Sequence, residues 1–280
     1  MLSSSETAAE ITYSSVTSQS AGFDLSGAES RVNENALTYV AWTWDAGSST
    51  VTNTAGSITS QVRANASAGF SVMTGSTPAS SVNFTFGHNL GIAPSLVIYK
   101  HTAVSGNWQV YHRSGGGNNY NLNSTAGPAN SGTWSGLDPS STLITIPSGI
   151  VSANSSAFVC YAWAPVAGYS AFGSYTGNGS ADGPMVWTGF RPRFLLWKRS
   201  DSTGDWIIFD SARDTYNYAE KQLLPNSSSA EVVTGGGFVR IDFLSNGFKI
   251  RSTDSYVNAN GGTYVYFAVA ENPFAYSRAR

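Results

Sequence analysis

Five carboxylates crowd one stretch of this 280-residue chain: Asp201, Asp205, Asp210, Asp214 and Glu220. Paired carboxylates are what glycoside hydrolysis requires, one as acid and one as base or nucleophile. Their spacing argues against that use. Asp205 and Asp210 bracket the apolar run Trp206–Phe209, and opposite parity along a strand sends them to opposite faces. Between Asp45 and Asp182 the only acidic residue is Asp138, so the first half of the chain cannot furnish a facing pair. Asp201 and Asp205 in the turn Asp-Ser-Thr-Gly-Asp could ligate calcium, but solvated turn carboxylates are the plainer reading.

The remaining reactive types are sparse. His88, His101 and His112 all lie in the first half. His101 and His112 flank Trp108 and are placed to approach one another across a hairpin, with no cysteine or carboxylate nearby in sequence to complete a metal site. They read as satisfied surface or edge histidines. Cys160 is the one cysteine, so no intramolecular disulfide forms and no Cys/His cluster exists for zinc. Gly-x-Ser-x-Gly, P-loop and zinc-helix motifs are absent. The expectation is a protein with no catalytic residues, no metal and no cofactor.

Charged residues are only 11% of the chain, against roughly 25% in an average globular protein. Fifteen basic side chains face seventeen acidic ones, for a net charge of −2. A dedicated nucleic-acid binder needs a concentrated positive surface, so that class is excluded. The longest apolar runs, Phe158–Ala164 and Tyr264–Ala270, are about seven residues, while a membrane span needs roughly 20. The first ten residues lack the basic and apolar regions of a secretory signal.

What positions these residues is a repeated element. Three segments end alike: VNENALTYVAWTW from Val32, VSANSSAFVCYAW from Val151 and VNANGGTYVYFAV from Val257. Upstream of the later two, a proline is followed six residues on by lysine and eight further by tryptophan: Pro94, Lys100, Trp108 and Pro192, Lys198, Trp206. The openings Gly69-Phe70-Ser71 and Gly168-Tyr169-Ser170 also agree, and His88 then aligns with Val186. So many fixed spacings predict two whole units, 45–167 and 168–280, preceded by an N-terminal segment, 1–44, that holds the closing part of a third.

Each unit reads as β. Val239, Ile241 and Phe243 alternate with Arg240 and Asp242, and Asn-Gly turns at Asn178 and Asn246 punctuate short strands. Leu96–Tyr99 and Phe194–Trp197 are apolar on both faces, as central strands of a packed sandwich would be. The fold class is all-β: two tandem antiparallel β-sandwich, jelly-roll-like units preceded by a partial repeat. Asp214–Leu224 is the one stretch that tolerates a helical turn or two.

Residues kept in both copies serve the shared fold, so Trp108 and Trp206 are read as core anchors. Unduplicated features fall in two long segments, Ser114–Trp134 and Ser211–Gly237. The first carries Tyr120 and Trp134, the second Tyr216 and Tyr218. Exposed aromatics beside Asn, Ser and Asp can stack on sugar rings, so these four are the candidate glycan-binding residues; packing on neighbouring subunits is the alternative. Residues 22–44 should form a closing hairpin without its opening strands, bearing Tyr39, Trp42 and Trp44 as assembly residues. Such a hairpin would dock by strand addition, in its own chain or in another copy. Residues 1–20 are expected to stay flexible or to reach into a socket.

Several long strings have a further likeness. TYVAWTWDAG (Thr38–Gly47), FGHNLGIAPSLVIYK (Phe86–Lys100), NWQVYH (Asn107–His112), RSDSTGDWIIFDSARD (Arg199–Asp214) and DFLSNGFKIRS (Asp242–Ser252) resemble a repeat module of marine bacteriophage virion proteins. The resemblance runs over about 250 residues. It implies a virion structural protein, a tail fibre or similar appendage, built as a homo-oligomer with trimers favoured, contacting other virion proteins and a host-surface glycan. A capsid decoration or head-fibre protein is the alternative, and a polysaccharide depolymerase a more distant one.

Overall fold

Repetition in the sequence becomes repetition in strand order. The computed structural model describes residues 1–12, 16–19, 22–27, 31–129, 132–233 and 239–273, so the far end of the Ser211–Gly237 segment lies outside the described residues. The N-terminal part holds one hairpin, β1 (Val16–Gln19) with β2 (Gly22–Leu25). The first unit contains β3 (Thr50–Asn53), β4 (Ser60–Asn65), β5 (Phe70–Ser76), β6 (Phe84–Gly87), β7 (Leu96–His101), β8 (Gln109–His112), β9 (Asn119–Asn121), β10 (Leu143–Ile146) and β11 (Ala157–Trp163). The second contains β12 (Ser170–Thr176), β13 (Met185–Trp187), β14 (Pro192–Arg199), β15 (Trp206–Asp210), β16 (Lys221–Gln222), β17 (Val232–Val233), β18 (Ile241–Leu244), β19 (Gly247–Ile250) and β20 (Thr263–Ala270).

All pairings are antiparallel. A seven-stranded sheet runs β3-β4-β5-β11-β7-β8-β9, and β10-β6 covers one of its faces. The second unit repeats the centre of that plan as β12-β20-β14-β15, covered by β13-β19-β18. The two sheets have matching register at their centres. Lys100 lies opposite Val159 in β11, and Lys198 opposite Val265 in β20. At the openings the match shifts by one: Phe70 faces Trp163 while Ser170 faces Val269. His88 aligns with Thr188 rather than Val186, because His88 N–H donates to Thr142 O at 3.3 Å and Thr188 N–H to Asn246 O at 3.0 Å.

Strands apolar on both faces have a simple cause here. Val97 and Tyr99 face the first unit's own core, with Phe84, Phe86 and Ile144. Their neighbours Leu96 and Ile98 point the other way, into a cluster shared with the second unit. In β14, Leu195 and Trp197 enter the second unit's core while Phe194 and Leu196 enter that same shared cluster. The two large sheets therefore stack face to face, and among the described residues the two units form four β layers with three apolar cores between them. Burying each large side chain there contributes roughly 1.5–3 kcal/mol.

Trp108 and Trp206 belong to the middle cluster. They are buried anchors, but they join the two units instead of filling the core of each. The helix that Asp214–Leu224 could tolerate does not form: Asp214 Oδ2 accepts from Glu220 N–H at 2.6 Å and Lys221 N–H at 2.7 Å, folding the segment back so that β16 pairs with β17. The α-helical turn is α1 (Ser255–Asn258), capped by Asp254, whose Oδ1 accepts from Tyr256 N–H at 2.7 Å.

The closing hairpin expected at 22–44 is also absent. Among the described residues there only β1 and β2 pair, and residues 31–46 carry no strand. The physical reason lies in β11, their counterpart, which is held between β5 and β7; residues 31–46 have neither partner. Trp42 and Trp44 instead lie on the middle cluster, with Trp44 5.9 Å from Trp163 and 5.5 Å from Phe194 between ring centroids. Within the chain, both rings contact a sheet face and not a strand edge.

Candidate functional site

The four aromatics singled out for glycan binding separate into two pairs. Tyr120 and Trp134 are fully buried. Tyr120 sits in β9 opposite Val110, and Trp134 donates from Nε1 to Asn119 Oδ1 at 3.2 Å. Neither ring face can meet a sugar, which corrects that half of the expectation: Gly- and Asn-rich sequence here folds inward through its own hydrogen bonds. Tyr216 is 85% exposed and Tyr218 53% exposed, with the Arg240 guanidinium 5.0 Å from the Tyr218 ring centre. Asn217 between them accepts from Phe243 N–H at 2.9 Å, fixing the pair beside β18. Trp187, 61% exposed on β13 with Met185 on the same outward face, was missed. Its signal was the alternation Met185-Val186-Trp187, in which buried Val186 sends both neighbours outward.

The five clustered carboxylates are each engaged. Asp201 pairs with Arg199 at 2.9 Å, Asp210 with Arg213 at 2.6 Å and Glu220 with Arg240 at 3.1 Å. Asp205 accepts from Asn226 Nδ2 at 2.7 Å, and Asp214 holds the two backbone amides described above. The histidines do not meet: in the β7–β8 register His112 lies opposite Leu96, while His101 is at the far end of β7. They are buried, not edge, residues. His112 donates from Nε2 to the Tyr266 carbonyl at 3.0 Å and accepts at Nδ1 from Ser114 N–H, so only the neutral ring fits, and burial pulls its pKa down to about 4. His88 is likewise depressed by burial, its Nε2 on Ser140 O and its Nδ1 on Leu90 N–H. Among the described residues no group of three metal-ligating side chains forms.

The duplicated lysines and tryptophans build two matching clamps. Lys198 is fully buried and donates to the Thr125 carbonyl at 2.9 Å, as does Gly204 N–H at 2.8 Å, while Trp206 Nε1 donates to Asn121 O at 3.0 Å. One unit earlier, Lys100 donates to the Thr7 carbonyl at 3.1 Å, Gly106 N–H to the same oxygen at 2.8 Å, and Trp108 Nε1 to Ser3 O at 2.8 Å. Each clamp grips a turn of the preceding repeat. Those turns close alike, with Ser124 N–H on Asn121 O at 3.2 Å and Glu6 N–H on Ser3 O at 3.3 Å. Residues 3–7, expected to be flexible, are therefore the first unit's ligand. A carbonyl accepting from a buried ammonium is a charge-assisted bond, stronger than a neutral one.

Beside the clamps lies a groove of about 1150 Å³, walled by Trp42, Trp44, Phe194 and Leu196 and rimmed by Leu224 and Ser228. Arg213 lies 5.8 Å from the Trp42 ring centre at its edge. Tyr39, the third expected assembly residue, also lines it and is 45% exposed.

No curated protein and no solved structure matches the chain. A family described as a domain of unknown function, DUF7483, matches residues 1–273. With nearly all of its length covered by that match, including both clamps and the N-terminal turn, the chain belongs to the DUF7483 family.

Proposed function

We propose that this protein is a non-enzymatic structural component of a bacteriophage virion, a tail fibre or similar appendage, built as a homo-oligomer. One observation supports the non-enzymatic reading above others: each of the five clustered carboxylates is already committed to a partner within its own unit. Groups so held fix loops; a general acid or base must be free to exchange a proton with substrate. The buried lysines are spent likewise, on backbone carbonyls of the preceding repeat. Low charge suits permanent packing among identical chains, where buried charge is costly.

Three tests bear on this reading. Purified particles labelled with an antibody against residues 168–280 should carry label at the tail; label on the head lattice would favour the capsid-decoration reading, and no label would remove both. Sedimentation of the purified chain should give the mass of three copies. Host-surface contact is assigned to Tyr216 and Tyr218. Changing both to Ala should abolish binding to host polysaccharide and leave thermal stability unchanged, since exposed substitutions typically stay within about 0.5 kcal/mol. A depolymerase is the more distant reading, and retention of any polysaccharide cleavage by the wild type, lost on Asp205→Asn, would establish it instead.

A further inference from the structure

The series of clamped turns has a third member that no clamp holds. Ser227 N–H donates to the Leu224 carbonyl at 3.0 Å, the same closure as in the turns at Ser3 and Asn121. The correspondence is independently fixed. Trp108 N–H donates to Asn123 Oδ1 at 2.9 Å and Trp206 N–H to Asn226 Oδ1 at 2.8 Å, so Asn226 matches Asn123. Leu224 then matches Asn121, and Ser228 matches Thr125. In the two clamped turns the first of these carbonyls takes an indole N–H and the second takes a lysine ammonium and a glycine N–H. Among the described residues no hydrogen bond reaches the Ser228 carbonyl. The turn stands at the rim of the apolar groove.

The N-terminal part shows what is missing. The turn at Ser3 matches that at Asn121, β2 matches the start of β10 at the offset of 119 that relates Val32 to Val151, and residues 38–44 match β11. In the first unit β10 pairs with β6, and β11 lies between β5 and β7. Among the described residues of 1–46 nothing corresponds to β5, β6, β7 or β8. Accordingly Phe23 and Leu25 in β2 are 40% and 41% exposed, residues 38–44 form no strand, and the turn at Leu224 is unclamped. Three separate deficits share one absent half-unit. Ser4 Oγ donates to Pro225 O at 2.8 Å, so the first and third turns touch. The groove opens beside the place where these two turns meet, next to the middle cluster. Trp42, Tyr161 and Phe267, equivalent positions in the three endings, all belong to the middle cluster.

We infer that the groove is the docking site for a polypeptide segment outside residues 1–280 that carries the opening half of this module, with strands equivalent to β5 through β8, a Pro-x5-Lys sequence and a Trp eight residues beyond the lysine. Its lysine and glycine seat on Ser228 O, its indole on Leu224 O, and its two central strands flank residues 38–44. The chain's own two opening halves do not fill this place, because each is already clamped, on Thr7 and on Thr125.

The test joins a further copy of residues 47–118 ahead of Met1 in the full chain through a flexible Gly/Ser linker, and follows hydrogen–deuterium exchange at residues 38–46. Insertion between two strands should slow exchange there at least tenfold, and should protect the appended copy from protease. A second version, with Lys100→Met and Trp108→Ala in the appended copy only, should lose that protection. Unchanged exchange at 38–46 would overturn the proposal, as would equal protection by the version without its clamp. If the unextended chain already protects 38–46 in a homo-oligomer, a second copy is the occupant and the proposal is likewise overturned.

Discussion

His112 reaches across the seam between the two stacked sheets, its Nε2 donating to the Tyr266 carbonyl at 3.0 Å. The bond ties β8 of the first unit to β20 of the second; protonation would leave it in place but would make Nδ1 a donor facing the Ser114 amide, so the two bonds together fit only the neutral ring.

That arrangement makes stability depend on pH in a defined direction. In the unfolded chain the imidazole takes up its proton near 6.5, whereas in the folded protein it does so near 4. Between these values the unfolded state binds more protons, so stability is complete above about 6.5 and falls as the pH drops toward 4. The loss from this residue is on the order of 3 kcal/mol. His112→Gln keeps a donor for Tyr266 and removes the titration. Urea unfolding from pH 7 to pH 4 should show a shallower decline for that variant, with the remainder coming from His88 and His101, which burial also depresses.

Lys198 titrates at the other end of the scale. Burial holds its ammonium down to about 8, against 10.5 for an ordinary lysine. From about 8 to 10.5 the unfolded chain keeps a proton that the folded protein has released, so this residue's contribution rises with pH. The neutral amine still has two N–H groups, enough for the carbonyls of Thr125 and Gly204. Lys198→Met should abolish the rise, measured as the difference in urea midpoint between pH 8 and pH 10.

Trp206 combines two contributions that substitution can part. Its ring is 2% exposed in the middle cluster, and its N–H is on Asn121 O. Trp206→Ala should cost roughly 3–5 kcal/mol. Trp206→Phe keeps most of the packing, and since Asn121 O retains the Ser124 amide, the loss should be about 1 kcal/mol. Equal losses would mean that the hydrogen bond, not the ring, holds the units together. Thermal unfolding of the two variants distinguishes these outcomes.

Cys160 lies in the first unit's core, fully buried, and burial pushes its thiol far above the ordinary range. Native protein should therefore react with a thiol reagent only through opening of that core. Labelling should run at least about 10³-fold slower than in 8 M urea, and Trp206→Ala should accelerate it by less than a substitution within the first core such as Phe158→Ala.

Much of this architecture could be read from residue types. The Pro-Lys-Trp spacing and the three endings located both units because side chains gripping a common geometry keep their identity. Which face Trp108 and Trp206 occupy could not be read, since β7 and β14 are apolar on both sides and parity only says that neighbours differ. Tyr120 and Trp134 misled because Gly and Asn mark turns without saying whether the turn is exposed; Asn119, donating to Gln109 Oε1 and accepting from Trp134, draws that loop inward. The three equivalent turns were hidden for a deeper reason. Ser3, Asn121 and Leu224 share no side-chain chemistry, because what the clamp grips is a backbone carbonyl, and every residue has one.

The direction of the clamps sets an order for synthesis. Thr7 precedes Lys100 by 93 residues, and Thr125 precedes Lys198 by 73. At about 5–20 residues per second, the first turn is synthesised roughly 5–20 s before its lysine. Each bait is made before its trap, so the nascent chain can be captured stage by stage without any finished piece being threaded backwards. Meanwhile Trp42 and Trp44 must remain unattended, and that interval is when a growing chain would be most open to a neighbour on the same messenger.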